Sequence, residues 1–234
     1  MKELHISVAA EPIVHIGGFA VTNSLFTTLF VSLILLFIAY WVQSSKKVPT
    51  IIYMLTETFY NFVGGILGKF TDTLFPITFT FFLLIIIGNW IGLLPVVGPI
   101  TINHVPLFRG PNADLSTTLA FALVSVGVTQ YFGIKALGAK NYLSKFINFK
   151  NPMNAVLGIL ETIQEFSKII SFSFRLFGNI FAGEVLLVVI GFLVPLFLPV
   201  PFLALEVFVG FIQALVFTVL TAIFISVATE PQQH

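Results

Sequence analysis

The chain has 234 residues, of which 57% are hydrophobic and 9% are charged, and its formal net charge is +1. Soluble domains carry about 25% charged residues, so the composition excludes an ordinary soluble domain and indicates an integral membrane protein. A charge this small gives no indication of nucleic-acid binding, and the absence of cysteine excludes disulfides and thiolate chemistry. No two histidines have the spacing of metal ligands, and we expect neither a metal nor another cofactor.

The first predicted membrane span covers residues 24–42. At about 1.5 Å per residue it is long enough to cross about 30 Å of hydrocarbon. The basic pair Lys46 and Lys47 follows it and places that end in the cytoplasm. Residues 50–70 then alternate apolar and polar side chains at helical spacing, which predicts an amphipathic helix in the cytoplasmic interface. An ordinary sixth span is the alternative interpretation.

The remaining spans are predicted at residues 74–94, 115–134, 153–194 and 202–227. Prolines between the second and third exclude a further span there. The fourth has no internal proline, and its 42 residues would form a helix of about 63 Å, which must tilt or extend beyond the membrane. Pro195, Pro199 and Pro201 are predicted to form the turn before the last span.

The predicted fold is therefore an all-α membrane protein of one integral membrane domain. It has five transmembrane helices and one interfacial helix, and the last two spans form a long tilted hairpin. The N-terminus is predicted outside and the C-terminus in the cytoplasm. This topology places eight basic residues on the cytoplasmic side and leaves only Lys2 and Arg109 outside. The eight are Lys46, Lys47, Lys69, Lys135, Lys140, Lys145, Lys150 and Lys168.

Arg175 is the residue that points most directly to a function, because it lies inside a long apolar run. A charge at bilayer depth costs about 3 kcal/mol on insertion scales, so such residues are rare and usually functional. Glu184 lies nine residues further on, about 13 Å along the axis and on the opposite side of the helix, whereas Asn179 shares the arginine's side.

In the last span, Glu206 and Gln213 are seven residues apart and share one face. If Gln213 lies level with Arg175, then Glu206 lies level with Glu184, and the two acids mark the outer half of a proton path. Glu184 could instead extend its side chain to the outer membrane surface, and Glu206 could lie at the membrane interface. Asn179 and Gln213 could be hydrogen-bond partners between helices with no role in transport.

Weaker candidates for the inner half of the path occur in the first part of the fourth span. Glu161 and Glu165 could equally belong to a solvated helix face. The four inner candidates are Glu161, Glu165, Lys168 and Ser171. Neither a catalytic residue nor a metal ligand is predicted.

Three segments carry a family resemblance that covers most of the chain. FSFRLFGNIFAGE (Phe172 to Glu184), LEVFVGFIQALVFTVL (Leu205 to Leu220) and GNWIGLLP (Gly88 to Pro95) closely resemble subunit a of bacterial F-type ATP synthases. The resemblance implies the stator half of a membrane proton channel, in the bacterial plasma membrane. It implies as partners a ring of c subunits, subunit b of the peripheral stalk and the remainder of the synthase, whose soluble sector carries the ATP chemistry.

The resemblance also implies a role for each matching residue. Arg175 matches the essential stator arginine, with Asn179 and Gln213 as its polar neighbours. Glu184 matches an acid of the outer half-channel, and Glu161 matches an acid near the inner one. Glu206 occupies a position where many members carry histidine and others carry glutamate.

Two other functions fit parts of the sequence. A secondary transporter could bind an anionic solute at Arg175, but such proteins commonly show inverted repeats and broken helices, neither of which is visible here. A non-conducting membrane anchor would have no use for five buried polar residues. The coupling ion, H⁺ or Na⁺, stays open, as do the size of the ring and the direction of operation.

Overall fold

A computed structural model gives the three-dimensional structure of the protein. It describes residues 10–16, 18–45, 48–94, 100–102, 105–144, 146, 152–194 and 197–230. Of the residues that support the predicted topology, Lys2, Lys46, Lys47, Lys145 and Lys150 lie outside these ranges, as does Pro195.

The described residues form seven α-helices with short connecting elements. The helices are α1 (Asn23–Ser44), α2 (Thr50–Leu67), α3 (Thr71–Gly92), α4 (Leu115–Leu137), α5 (Ala139–Leu143), α6 (Pro152–Leu193) and α7 (Pro199–Thr229). Within the described ranges, five helical stretches are long and apolar enough to span a membrane, namely α1, Thr50–Gly92, α4, most of α6, and α7. The prediction of an all-α membrane protein with five such helices is confirmed.

Local sequence signals explain where several helices begin and end. The Thr22 hydroxyl accepts a hydrogen bond from the Leu25 amide at 3.3 Å and caps α1. The Asp114 carboxylate caps α4 in the same way, through the Ser116 amide at 3.2 Å. At the other end of α4, Gly138 has φ of 80°, a backbone conformation that glycine adopts without a steric penalty.

The start of α7 differs from the prediction. Pro199 and Pro201 were predicted to belong to the turn, but they lie in the first turn of the helix. A proline is tolerated there because the first amides of a helix have no intrahelical acceptor, so the missing N–H removes no hydrogen bond.

The core of the protein is formed where α7 packs against α3, α4 and α6. The ring of Phe217 in α7 lies 4.9 Å from that of Phe172 in α6 and 5.5 Å from that of Phe81 in α3. On the α4 side the contact is polar, because the hydroxyls of Ser125 and Thr221 are 2.7 Å apart. Small side chains of this kind let helices approach closely in a membrane, where no hydrophobic effect drives them together.

Helix α2 is joined to α3 by a short 3₁₀ turn, Gly68–Phe70. Its Phe59 ring is buried and stacks on Phe82 of α3, with 4.7 Å between ring centroids. The opposite side of α2 exposes apolar residues, among them Ile51 and Met54. An apolar exposed face suits contact with lipid, and the interfacial position of α2 stays a prediction.

Two small antiparallel strand pairs were not predicted. They are β1 (Pro12–Ile16) with β2 (Phe19–Thr22), and β3 (Thr101–Ile102) with β4 (Val105–Pro106). A side-chain hydrogen bond ties the second pair to the start of α1, because the Asn23 amide group donates to the Pro106 carbonyl at 3.3 Å. This contact and its neighbours hold the segment around Arg109 against the helices.

The packing around α7 leads to a prediction with a matched control. Ile225 is 0% exposed, whereas Ile223 on the same helix is 37% exposed. We expect Ile225→Ala to destabilise the isolated subunit in detergent by about 2 kcal/mol, the low end for such truncations. The substitution leaves a cavity and so loses packing contacts, but moving the deleted atoms from the core to an apolar solvent changes the free energy little. Thermal unfolding should show a clear drop in Tm for Ile225→Ala and little change for Ile223→Ala; equal drops would contradict the described packing.

Candidate functional site

Arg175 lies on the outward side of α6. Its side chain is exposed on the subunit, and its Nη2 donates a hydrogen bond to the Ser171 hydroxyl at 3.2 Å. Among the described residues it has no carboxylate partner. The guanidinium therefore forms no ion pair with the described residues and can bind a group outside the subunit.

Several of the polar residues that precede Arg175 on α6 lie on the arginine's side of the helix. At about 100° per residue, the spacing from position 161 to position 179 keeps them within one broad stripe. We call the part before Arg175 the inner stripe; it consists of Glu161, Glu165, Lys168 and Ser171. Asn179 is exposed and continues the stripe one turn beyond the arginine.

Glu184 points to the other side of α6, into the subunit. Its side chain is 28% exposed, and its Oε2 lies 3.9 Å from Nη2 of Arg109, whose side chain is 11% exposed. Arg109 is held by its own backbone amide, which donates to the Thr27 hydroxyl at 3.1 Å, and by a bond from Nη2 to the Ala113 carbonyl. Glu184 thus has an internal counter-ion, unlike Arg175.

Glu206 is buried, with 6% of its surface exposed, although the sequence also allowed an interfacial position. Its carboxylate lies directly against Gly183 of α6, so closely that a Cβ added at Gly183 would overlap it. The neighbouring residue of Gly183 is Glu184. The glycine therefore lets the acid of α7 approach the acid of α6.

Glu184 and Glu206 line the same small cavity. Its volume is about 10 Å³, close to the minimum for a single water molecule. The lining residues are Asn89, Gly92, Leu93, Gly110, Ile180, Glu184 and Glu206. Two carboxylates around a space for water are groups that can pass a proton between them.

A buried amide pair supports one wall of this cavity. The Asn89 amide group donates to the Gly210 carbonyl of α7 at 2.9 Å, and Asn112 donates to the Asn89 side-chain oxygen at 2.7 Å. Asn112 also donates to the Ile85 carbonyl at 3.2 Å, while its own Oδ1 is buried without a described partner. These bonds fix α3, the loop before α4 and α7 relative to one another.

Gln213 lies on the same face of α7 as Glu206. It is half-buried and has no hydrogen bond among the described residues. The structure therefore places Glu184 and Glu206 at the same cavity, and their role in a proton path stays a prediction. It places Arg175 and Asn179 away from these two acids, on the side of α6 that is exposed on the subunit.

The inner stripe is connected to α4 and α5. Gln130 of α4 donates from Nε2 to Glu165 Oε2 at 2.8 Å, and Lys168 Nζ lies 2.6 Å from Glu165 Oε1. The Tyr142 hydroxyl of α5 donates to Gln130 Oε1 at 2.8 Å. Burial, with the nearby charges of Glu165 and Glu161 adding to it, raises the pKa of Tyr142 to about 12, so its hydroxyl stays protonated at physiological pH.

Several residues of these sites were not singled out from the sequence, namely Arg109, Asn89, Asn112, Gln130 and Tyr142. Arg109 had a usable signal, because it is one of only two basic residues predicted outside. The others are ordinary polar residues, and only their contacts distinguish them.

The fold and the site define a helical multi-pass membrane protein that carries an arginine exposed on one side of α6 and a separate pair of carboxylates, Glu184 and Glu206, that line one cavity. The family model of the ATP synthase A chain matches residues 24–226, most of the sequence. The chain belongs to this family.

Two curated relatives agree with this assignment. The chain is 35% identical over 179 residues to ATP synthase subunit a of Moorella thermoacetica, covering 75% of this chain and 74% of the relative. It is 30% identical over 238 aligned positions to ATP synthase subunit a of Desulforamulus reducens, covering 94% of this chain and 85% of the relative.

The contact between Gly183 and Glu206 leads to a prediction. Gly183→Ala should displace the Glu206 carboxylate and slow proton flux through the assembled complex in sealed vesicles by about a hundredfold, the low end of the contribution from a positioned proton-transfer group. Gly191→Ala is the matched control on the same helix, because an added Cβ there meets nothing within 4 Å. Equal flux in the two variants would contradict a role for this contact.

Proposed function

We propose that this protein is the stator subunit of the membrane sector of a rotary ATP synthase. In this role it forms two offset half-channels for protons against a ring of c subunits. It carries no ATP chemistry itself, since that belongs to the soluble sector. Membership of the ATP synthase A chain family supports the general role.

The observation that carries the detailed proposal is the position of Arg175. The guanidinium is exposed on the subunit and has no carboxylate partner among the described residues, although it lies on an apolar helix. A charge at this depth is tolerated when it faces a partner or an aqueous cavity. A carboxylate on a neighbouring membrane protein is the group that would stabilise it.

The residues around Arg175 suit close contact with another helix. Ser171, Gly178 and Ala182 lie on the same side of α6, and Ser171 and Ala182 are exposed. Small side chains let two helix backbones approach closely in a membrane. This surface is proposed to contact the rotor ring.

The two sides of α6 are proposed to serve two separate proton paths. The outer path contains the cavity with Glu184 and Glu206, on the inward side of the helix. The inner path follows the inner stripe, with Glu161 as its acid. Asn179 and Gln213 are polar neighbours of the arginine, and the helix itself separates the two paths.

The mechanism is electrostatic. A protonated rotor carboxyl group that arrives beside Arg175 meets a fixed positive charge, which favours the carboxylate and promotes loss of the proton. The low dielectric of the membrane strengthens this effect. The same charge repels protons and so prevents a leak between the paths. Lysine would be a poor replacement, because a buried ammonium can lose its proton and a guanidinium effectively cannot.

The remaining assignments follow from this role. The partners are the c ring, subunit b of the peripheral stalk and the rest of the synthase, and the subunit itself lies in the bacterial plasma membrane. The N-terminus is outside and the C-terminus is cytoplasmic. A transporter that binds an anionic solute at Arg175 fits less well, because such a site lies at the interface between repeats, whereas this arginine is exposed on the subunit surface.

Arg175→Ala should abolish ATP-driven proton pumping while the complex still assembles, because the rotor carboxylate loses the charge that drives its deprotonation. Pumping is measured with a pH-sensitive dye in sealed vesicles, and assembly by copurification of the other subunits. Arg175→Lys is the conservative comparison and should pump poorly. Normal pumping by Arg175→Ala would refute the proposal.

A second comparison tests where the outer path lies. Glu184→Gln should slow proton flux more than Glu161→Gln, because Glu184 lines the cavity that it shares with Glu206, whereas Glu161 lies outside that cavity. The two substitutions are isosteric and lie on the same helix, so each serves as the control for the other. Equal or reversed effects would show that the outer path is wrongly placed.

A further inference from the structure

The two acids of the inner stripe have different surroundings. Both oxygens of Glu165 are engaged, Oε1 by the Lys168 ammonium at 2.6 Å and Oε2 by the Gln130 amide at 2.8 Å. Glu161 lies one turn earlier on the same side and has no hydrogen bond or ion pair within the part of the chain that the structure describes. Composition and helical spacing alone do not distinguish these two acids.

Tyr142 determines how Gln130 is oriented. A primary amide can present either its oxygen or its nitrogen to a neighbour. The Tyr142 hydroxyl donates to Gln130 Oε1 at 2.8 Å, so the NH₂ group must point to Glu165. The raised pKa of Tyr142 keeps that hydroxyl protonated and hence a donor.

The ring of Tyr142 is held by the backbone of α4. It is buried against Gly133, where an added Cβ would overlap the ring. On the other side of the cluster, the Lys168 ammonium lies 4.6 Å from the centroid of the Phe224 ring in α7, a cation–π distance. Elements α4, α5 and α7 therefore all contribute to the environment of Glu165.

Building on the inner path of the proposed function, we propose that Tyr142 is a positioning residue that, through Gln130, keeps Glu165 in its ion pair with Lys168. Glu161 is then the carboxylate that exchanges protons at the inner end. We call Tyr142, Gln130, Glu165 and Lys168 the inner latch. The bonds from the ammonium and the amide, one to each oxygen, hold the Glu165 carboxylate in one orientation, so that it cannot turn toward another proton carrier.

The inner latch has a consequence that a purely structural role would not have. Removing the bond from Gln130 releases one oxygen of Glu165, so that this carboxylate can turn and replace Glu161. In the complete synthase in sealed vesicles, Glu161→Gln should slow proton flux, and Glu165→Gln should slow it less. Adding Tyr142→Phe or Gln130→Met to Glu161→Gln should raise the flux again by about threefold, the effect of losing one hydrogen bond.

Two glycine variants make the test independent of the polar substitutions. Gly133→Ala should displace the Tyr142 ring and also raise the flux of Glu161→Gln. Gly127→Ala on the same helix is the matched control, because nothing lies within 4 Å of its added Cβ, and it should leave that flux as it is. Copurification of the other subunits confirms assembly of each variant.

The latch would be established if the proton flux of Glu161→Gln recovers when Tyr142→Phe, Gln130→Met or Gly133→Ala is added, but not when Gly127→Ala is added. Further loss in those double variants, wild-type flux in Glu161→Gln, or a larger loss in Glu165→Gln than in Glu161→Gln would overturn it. Arg175→Ala reports separately on the proposed function. If that variant does not pump and the double variants do not recover, only the latch is wrong; if it pumps normally, the proposed function itself fails.

Discussion

The constraint on which the rest of the structure depends is the cost of placing charge in hydrocarbon, about 3 kcal/mol per residue on insertion scales. Each charged group on α6 must therefore have a partner or a polar surrounding. Glu184 has Arg109, and Glu165 has Lys168 and Gln130. Arg175 has only a hydroxyl within the described subunit, and this difference is why we assign its partner to another protein.

The arrangement of helices follows from satisfying the other groups. Glu206 can be buried on α7 because Gly183 leaves room for its carboxylate next to α6. Asn89 and Asn112 bond to each other and to backbone carbonyls, so that the cavity beside the acids is bounded by fixed helices. Small and amide residues perform this task because packing and hydrogen bonds, rather than hydrophobic burial, hold helices together in a membrane.

The opposite orientation of Arg175 and Glu184 gives α6 two functional sides. Their separation of nine residues corresponds to two and a half helical turns, which is half a turn more than would align them. One side faces the proposed rotor contact and the inner stripe. The other faces the cavity with Glu206, and the body of the helix lies between the two proposed proton paths.

The sequence by itself determined the membrane class, the five long apolar helices and the opposite placement of Arg175 and Glu184. Those features depend on composition and on the fixed geometry of one helix, which are local. Only the tertiary structure decided that Arg109 pairs with Glu184, that Gly183 admits Glu206, and that Glu165 is bound while Glu161 has no partner in the described part of the chain. These contacts join residues far apart in the chain, and in the sequence Gln130, Asn112 and Tyr142 look like any other polar residues. Helix periodicity fixes the direction of a side chain on its own helix, but the neighbour it meets depends on how the helices pack.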